Sequence, residues 1–192
     1  ASGRFTEKIA EELKFLDMPN VKILFRHEKG KLTANGMDVM ELMISVNAGE
    51  PPKPIAKIAS GGELSRIRLA IKNVVAEKED TPTMIFDEID TGVSGRAAQK
   101  IGVKLRQVSK TRQVICVTHL SQIAVMADNH LLIEKTSLED STVTSVTQLD
   151  RSQRVSEIAR ILGGEHITKT TLDNAAEQLD GQEKIYNEIL NK

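Results

Sequence analysis

TMIFDEIDTGVSGRAAQKIGVKLRQVSKTRQVICVTH, residues 83–119, decides how the rest of the chain is read. Its two ends, TMIFD (83–87) and QVICVT (113–118), are short apolar runs of strand length. Between them SGRAAQKIGVKLRQVS (94–109) carries apolar residues at helical spacing. An apolar strand, an amphipathic helix and a second apolar strand predict parallel strands joined by a helical crossover. The fold class expected is therefore α/β, a mainly parallel sheet flanked by helices.

Both strands end in polar residues, and α/β sheets bind ligands at their carboxyl edge. The first exits into Asp87 and Glu88. Aspartate suits Mg²⁺, which takes carboxylate oxygen and keeps several waters. Glu88 points elsewhere because side chains alternate, and could orient and deprotonate an attacking water. The competing reading is that two acidic residues simply start a turn. The second strand exits into Thr118 and His119. A parallel neighbour would bring His119 to the same edge as Glu88, where it could donate to a terminal phosphate; otherwise it is a surface or capping residue. His27, His130 and His166 share no such position. No Cys/His cluster has zinc spacing, and no G-x-S-x-G elbow is present.

Upstream, SGGELSRIRLAIK (60–72) opens a helix expected from about Gly62 to Glu77. Leu64, Ile67, Ile71 and Val74 recur on its core face. Ser60 and Glu63 fit a capping box. That box does not account for Gly61 and Gly62, which cost roughly 1 kcal/mol each inside a helix. A first turn without side chains leaves backbone N–H groups open at the positive end of a helix, where phosphate binds.

Further out, residues 4–16 read as an amphipathic helix with Phe5, Ile9, Leu13 and Leu16 on one stripe, stopped by Pro19. VKILF (21–25) and MDVMELMISV (37–46) predict a hairpin turning through Gly30, Asn35 and Gly36. Three prolines within NAGEPPKPIAKIA (47–59) predict a loop. Downstream, NHLLIEK (129–135) and TVTSVTQL (142–149) predict another hairpin. The helices SQRVSEIARILGG (152–164), ended by Gly163 and Gly164, and ITKTTLDNAAEQL (167–179) follow, and Gly181 breaks the latter from EKIYNEIL (183–190). There is no internal repeat.

The 192 residues suffice for one substantial core or two small ones, and 40% hydrophobic with 28% charged residues is the composition of a soluble globular protein. No apolar run of about 18 residues exists, and no signal-peptide pattern opens the chain; both point to a cytoplasmic protein with no membrane partner. A net charge of −1 gives no global attraction to nucleic acid. Lys57, Arg66, Arg68 and Lys72 form a local basic set, read as a solvated face ahead of a DNA patch. The single cysteine, Cys116, lies in apolar VICV and is expected to be buried and inert.

A glycine-opened helix, a strand ending in DE, a loop with Asp90 and a strand ending in His resemble, in this order, the C-terminal lobe of an ABC-type ATPase head. SGGE is similar to the signature motif, MIFDE to the Walker B strand, Ile89-Asp90 to the D-loop, and His119 to the switch histidine. Ala59 stands where leucine is commonest and Glu63 where glutamine is, as in the DNA-repair branches of that superfamily. PPKPIAKIASGGELSRIRLAI, IFDEIDTGVSG, VTHLSQIAVMADNH and EIARILGGEHITKTTL together resemble the C-terminal part of the bacterial RecN family. These are DNA double-strand-break repair and recombination proteins related to the structural-maintenance-of-chromosomes (SMC) proteins.

The resemblance implies ATP and Mg²⁺ as cofactors, with Asp87 on the metal, Glu88 as general base and His119 at the γ-phosphate. It implies that Ser60, Gly61, Gly62 and Glu63 contact the ATP of a second head, and that Asp90 couples the two sites. No G-x-x-x-x-G-K-[ST] phosphate loop occurs in the sequence. The loop is therefore expected in an N-terminal half of the same head, across a long coiled coil, with this segment inactive alone. Residues 1–20 would be the returning end of that coiled coil and 21–192 the C-terminal half of the head. Implied partners are that N-terminal half, a second head in an ATP-dependent homodimer, and DNA, at the nucleoid. Two other readings are a transporter's nucleotide-binding subunit, disfavoured by the absent loop, and a non-catalytic dimerisation module, disfavoured by the Asp87, Glu88 and His119 set.

Overall fold

The computed structural model describes residues 2–58, 60–138, 141–164 and 166–191, and its chain divides into two compact units. The first comprises residues 1–97 and 112–117, the second residues 98–111 and 118–192.

In the first unit, α1 (Ser2–Phe15) packs its expected stripe, with Ile9, Leu13 and the following Leu16 wholly buried. It lies on α2 (Gly61–Glu79), which buries Ile67, Leu69, Ala70 and Val74, and on β1 (Lys22–Thr33), where Phe5 stacks on Phe25 at 6.0 Å between ring centroids. Strand β1 pairs antiparallel with β2 (Gly36–Ser45). The hairpin is longer than expected. β1 runs through Gly30 because the ladder continues to Lys29↔Asp38 and resumes at Thr33↔Gly36 after an irregularity. The Arg26–Glu41 ion pair and a hydrogen bond between His27 and Asp38 join the strands along the way. The turn is made by Ala34 and Asn35, and Gly36, at φ +96°, opens β2 opposite Thr33.

The proline-rich stretch expected to be a loop contains two short elements. Strand β3 (Lys53–Pro54) pairs with β2 at the sheet edge, where proline needs no ladder donor, and Ile55–Lys57 forms a 3₁₀ turn. Strands β4 (Thr83–Phe86) and β5 (Gln113–Cys116) pair in parallel with Thr83↔Gln113 to Phe86↔Cys116 in register. The α/β class holds, but among the described residues parallel pairing is confined to these two strands. The connections within the hairpins are too short for a crossover, so those strands can pair only antiparallel.

In the second unit, α3 (Gly95–Ser109, from Ala98) buries Ile101, Val103 and Leu105. A side chain at Gly102 would meet the Gln122 carbonyl at 2.8 Å, so α3 sits directly on the backbone of α4 (Ser121–Ala124), a short helix not foreseen. Arg106, on α3, donates to the Met126 carbonyl at 3.1 Å and pairs with Asp128 and Glu183. Strands β6 (Leu131–Leu138) and β7 (Ser141–Gln148) form the second hairpin. Helices α5 (Arg151–Gly163), α6 (Lys169–Asp180) and α7 (Gln182–Leu190) follow, and Gly164, at φ +66°, ends α5.

Candidate functional site

Strand β4 ends at Phe86, and the chain then turns sharply. Asp87 and Glu88 are both exposed. Glu88 has φ +56°, the left-handed region that a side chain with a Cβ enters at a cost of order 1–3 kcal/mol. Such strain persists only where surrounding contacts fix it. Here the Glu88 carbonyl accepts from the Thr91 N–H at 3.3 Å and from the Ser65 hydroxyl at 3.4 Å. The Val93 N–H donates to the Asp90 carbonyl at 3.1 Å, closing the next turn. Asp90 is 3% exposed, so this turn buries one carboxylate and displays two.

The start of α2 lies against the same turn. Ser60 is the N-cap, with extended backbone (φ −85°, ψ 120°), and its hydroxyl accepts from the Glu63 N–H at 3.5 Å. Only this half of the expected capping box is formed among the described residues; the complete boxes belong to α5 and α6. Ala59 lies outside the described residues.

The two glycines differ. Gly61 is exposed, and a Cβ there would touch Thr91 at an ordinary 3.4 Å. Gly62 is buried, and a Cβ there would sit 2.4 Å from the Gly92 carbonyl oxygen. Gly92 has φ +68°, and its own added Cβ would lie 2.9 Å from the Gly62 nitrogen. Backbone meets backbone at this crossing, which gives Gly62 a reason within the fold, independent of any ligand.

Next to β4, the ladder extends beyond β5 by one bond, from the Val117 N–H to the Phe86 carbonyl at 2.9 Å. The parallel register thus sends both chains out at one edge of the sheet. His119 follows two residues later, exposed, in the second unit. Cys116 is half-buried rather than fully buried. Burial first, then the Asp90 and Asp87 carboxylates, push its thiol up to about 12, so it stays protonated and inert, as its setting predicts.

The basic set is partly spent on structure. Arg66 donates to the carbonyls of Gly62 and Leu16, each at 3.1 Å, and Lys72 to that of Ile85 while lying 5.4 Å from the Phe86 ring centre. Lys57 and Arg68 are exposed. Of the expected site, the structure brings Ser60, Gly61, Gly62 and Glu63 to the opening of α2 and ties that turn to the one carrying Asp87, Glu88 and Asp90. The sequence reading missed Ser65 and Gly92, which make the ties. The glycine after Asp-Thr in DTG was the available signal, since so close a backbone crossing needs glycine on both segments.

The exposed carboxylates and the open first turn of a 19-residue helix fit Mg²⁺ with a phosphate ligand. Mg²⁺ takes one or two carboxylates and completes its shell with phosphate oxygen and water. Among the described residues no three His, Cys, Asp or Glu side chains gather into an all-protein metal cage, which such a site does not need.

The chain is similar over most of its length to bacterial DNA repair proteins named RecN. It is 44% identical to that of Halalkalibacterium halodurans over 92% of this chain and 30% of the relative. It is 42% identical to that of Haemophilus influenzae over 94% and 33%, and 46% identical to that of Bacillus subtilis over 81% and 27%. The chain thus spans about a third of the length of these relatives. No protein-family model matches it.

Among solved structures, it superposes on the Smc head domain with a coiled coil and joint from Pyrococcus yayanosii with a TM-score of 0.63 at 19% identity, covering 80% of this chain and 28% of that one. A second match is to a chain from work on ATP-driven dimerization and DNA-stimulated activation of SMC ATPases. Its TM-score is 0.58 at 20% identity, covering 84% of this chain and 93% of that one. The fold is that of an SMC-type ATPase head.

Proposed function

We propose that this chain, a homologue of the bacterial RecN DNA repair proteins, is the C-terminal part of an SMC-like ATPase head that acts in DNA double-strand-break repair. The observation that carries the chemistry is Glu88. It is an exposed acid at the carboxyl end of a parallel strand, beside Asp87, held in a left-handed turn.

In this reading Asp87 holds Mg²⁺ directly or through water. Glu88 accepts the proton of the attacking water, and a positioned base of this kind contributes about 10²–10⁴-fold. His119 donates to the terminal phosphate. Mg²⁺, when bound, neutralises charge on the phosphate oxygens. Ser60, Gly61, Gly62 and Glu63 face the ATP of a second head, with the N–H groups of the first turn supplying positive potential. Asp90 couples the two ATP sites. The phosphate loop comes from an N-terminal half of the same head. Helix α1 is the returning end of the coiled coil that joins the halves, and the protein works at the nucleoid in the cytoplasm.

Replacing Glu88 by Gln in the full-length protein tests the assignment. Hydrolysis should slow by roughly 10²-fold or more while ATP still binds, so the ATP-bound dimer accumulates. Asp87→Asn should differ, weakening Mg²⁺ and so both binding and turnover. Turnover assays with crosslinking or light scattering in ATP separate the two. Hydrolysis at the parent rate by Glu88→Gln, or failure to trap a dimer, returns Asp87 and Glu88 to an ordinary turn.

A further inference from the structure

We propose that Ser65 is a positioning residue for Glu88, and that it makes the opening of α2 and the general base one mechanical piece. This rests on the reading of Glu88 as base given above. Ser65 lies one turn into α2, 7% exposed, and its hydroxyl reaches the Glu88 carbonyl at 3.4 Å. The other buried side chains of this helix are the alkyl groups of Ile67, Leu69, Ala70, Val74 and Ala76, and Asn73, which donates to Glu12 of α1. A buried hydroxyl aimed at the one strained non-glycine peptide of the catalytic turn has a use beyond packing.

The geometry explains what the contact does. At Glu88 the left-handed backbone sets the direction of the carboxylate, and relaxing it into the right-handed or extended region would swing Glu88 away. Two hydrogen bonds to its carbonyl oppose that relaxation. The bond from Thr91 is internal to the turn, so among the described residues the bond from Ser65 is the one that refers the Glu88 carbonyl to another element. One turn earlier on the same helix, Gly62 crosses Gly92 with room for no side chain on either. The Arg66 guanidinium, bonded to Gly62 and Leu16, fastens the first turn of α2 to the end of α1.

A displacement at Ser60 and Gly61, where the second head's nucleotide is read, is therefore passed to the Glu88 carbonyl through one rigid turn of helix. The base that deprotonates the water attacking this head's ATP is aligned by the element that senses the partner's. Misplacement of a reacting group by about 1 Å costs up to roughly 10²-fold, so a single such contact has measurable leverage.

The test is a double-mutant cycle in the full-length protein. Ser65→Ala should lower kcat for ATP roughly tenfold or more, with KM within about twofold and an unchanged melting temperature. Ser65→Thr, which keeps the hydroxyl, should restore turnover. Ser65→Cys, near in shape but a poor donor, should behave as Ser65→Ala, and it serves where alanine perturbs folding. In the Glu88→Gln background, Ser65→Ala should cost nothing further, because the group it aims is gone. Multiplying effects of Ser65→Ala and Glu88→Gln would overturn the proposal, as would full activity in Ser65→Ala and Ser65→Cys. Full activity in Glu88→Gln alone would instead remove the base and with it anything for Ser65 to aim. That outcome is distinct because the single variant alone gives it.

Discussion

Gly61 and Gly62 stand side by side at the opening of α2, and physical chemistry assigns them different work. A methyl group at 62, which is buried, would meet the Gly92 carbonyl oxygen at 2.4 Å, backbone against backbone. Gly62→Ala should therefore destabilise the fold by roughly 1–3 kcal/mol, the usual cost of overpacking. A methyl at Gly61 has room, so Gly61→Ala should leave the melting temperature unchanged or slightly raised. If the first turn reads the second head's phosphate, Gly61→Asp should abolish ATP-driven dimerisation and spare nucleotide binding by the monomer. Thermal melts with a dimerisation assay check all three; equal losses of stability at 61 and 62 would contradict the crossing. Cys116 gives a pH test. Its thiol is held at about 12 in the fold against an ordinary 9.0, so the unfolded chain gives up the proton first. Cys116 contributes stability that is complete below about 9 and declines as pH climbs toward about 12. Native protein should resist thiol alkylation at mildly alkaline pH and react once unfolded.

Helix boundaries show where local rules sufficed. Apolar spacing, the Ser60 cap and the closing glycines placed α2, α3, α5 and α6 to within two or three residues; the N-caps Asp150 and Thr168 went unread. Glu88's strain, the Gly62–Gly92 crossing and the Ser65 bond were not legible. The crossing and the Ser65 bond each join residues more than 20 positions apart, and none of the three leaves a period in the sequence. Hairpin β1–β2 outran its apolar run because the strands beyond it are held by the Arg26–Glu41 ion pair, the His27–Asp38 hydrogen bond and backbone bonds, which hydropathy does not register. Helix α5 offers the cleanest test of a cap. Asp150 accepts from the Gln153 and Ser152 groups, which hold its carboxyl below the ordinary 3.8. A depressed carboxylate stabilises the fold above its unfolded value and loses that contribution as pH falls through its folded value. Asp150→Ala should lower the melting temperature near pH 7, and the gap from the parent should close as Asp150 protonates below 3.8. A pH-independent gap would mean the charge plays no part.

Taken whole, the molecule presents surfaces that a finished domain would cover. Parallel strands are normally buried on both faces, yet β4 and β5 turn Ile85, Ile115 and Val117 to solvent at 59%, 44% and 48% exposure. The hairpin β6–β7 likewise leaves Leu131, Ile133, Val143 and Val146 exposed. These surfaces, the missing phosphate loop in the sequence, and a length about a third that of the RecN relatives all support one reading: the chain supplies the signature, base and switch residues and receives its phosphate-binding half from elsewhere in the protein. The purified chain should then bind Mg-ATP far more weakly than the micromolar range by calorimetry, and should not hydrolyse it, since its sequence holds no G-x-x-x-x-G-K-[ST] loop for the β- and γ-phosphates. Adding the N-terminal segment that carries the phosphate loop should restore both. Ile85→Glu separates docking from chemistry, because Ile85 is an exposed residue of β4 and belongs neither to the turn after it nor to the start of α2. Alone, the variant chain should be less prone to self-association, since a charge breaks an exposed apolar face. Mixed with the N-terminal segment, it should regain less ATPase activity than the parent chain at equal concentration. The deficit should shrink as the segment is added in excess, because the lesion lies in assembly. Micromolar Mg-ATP binding by the chain alone would overturn the divided-head reading. A deficit in Ile85→Glu that no excess of segment reduces would show that this face does not receive the missing half.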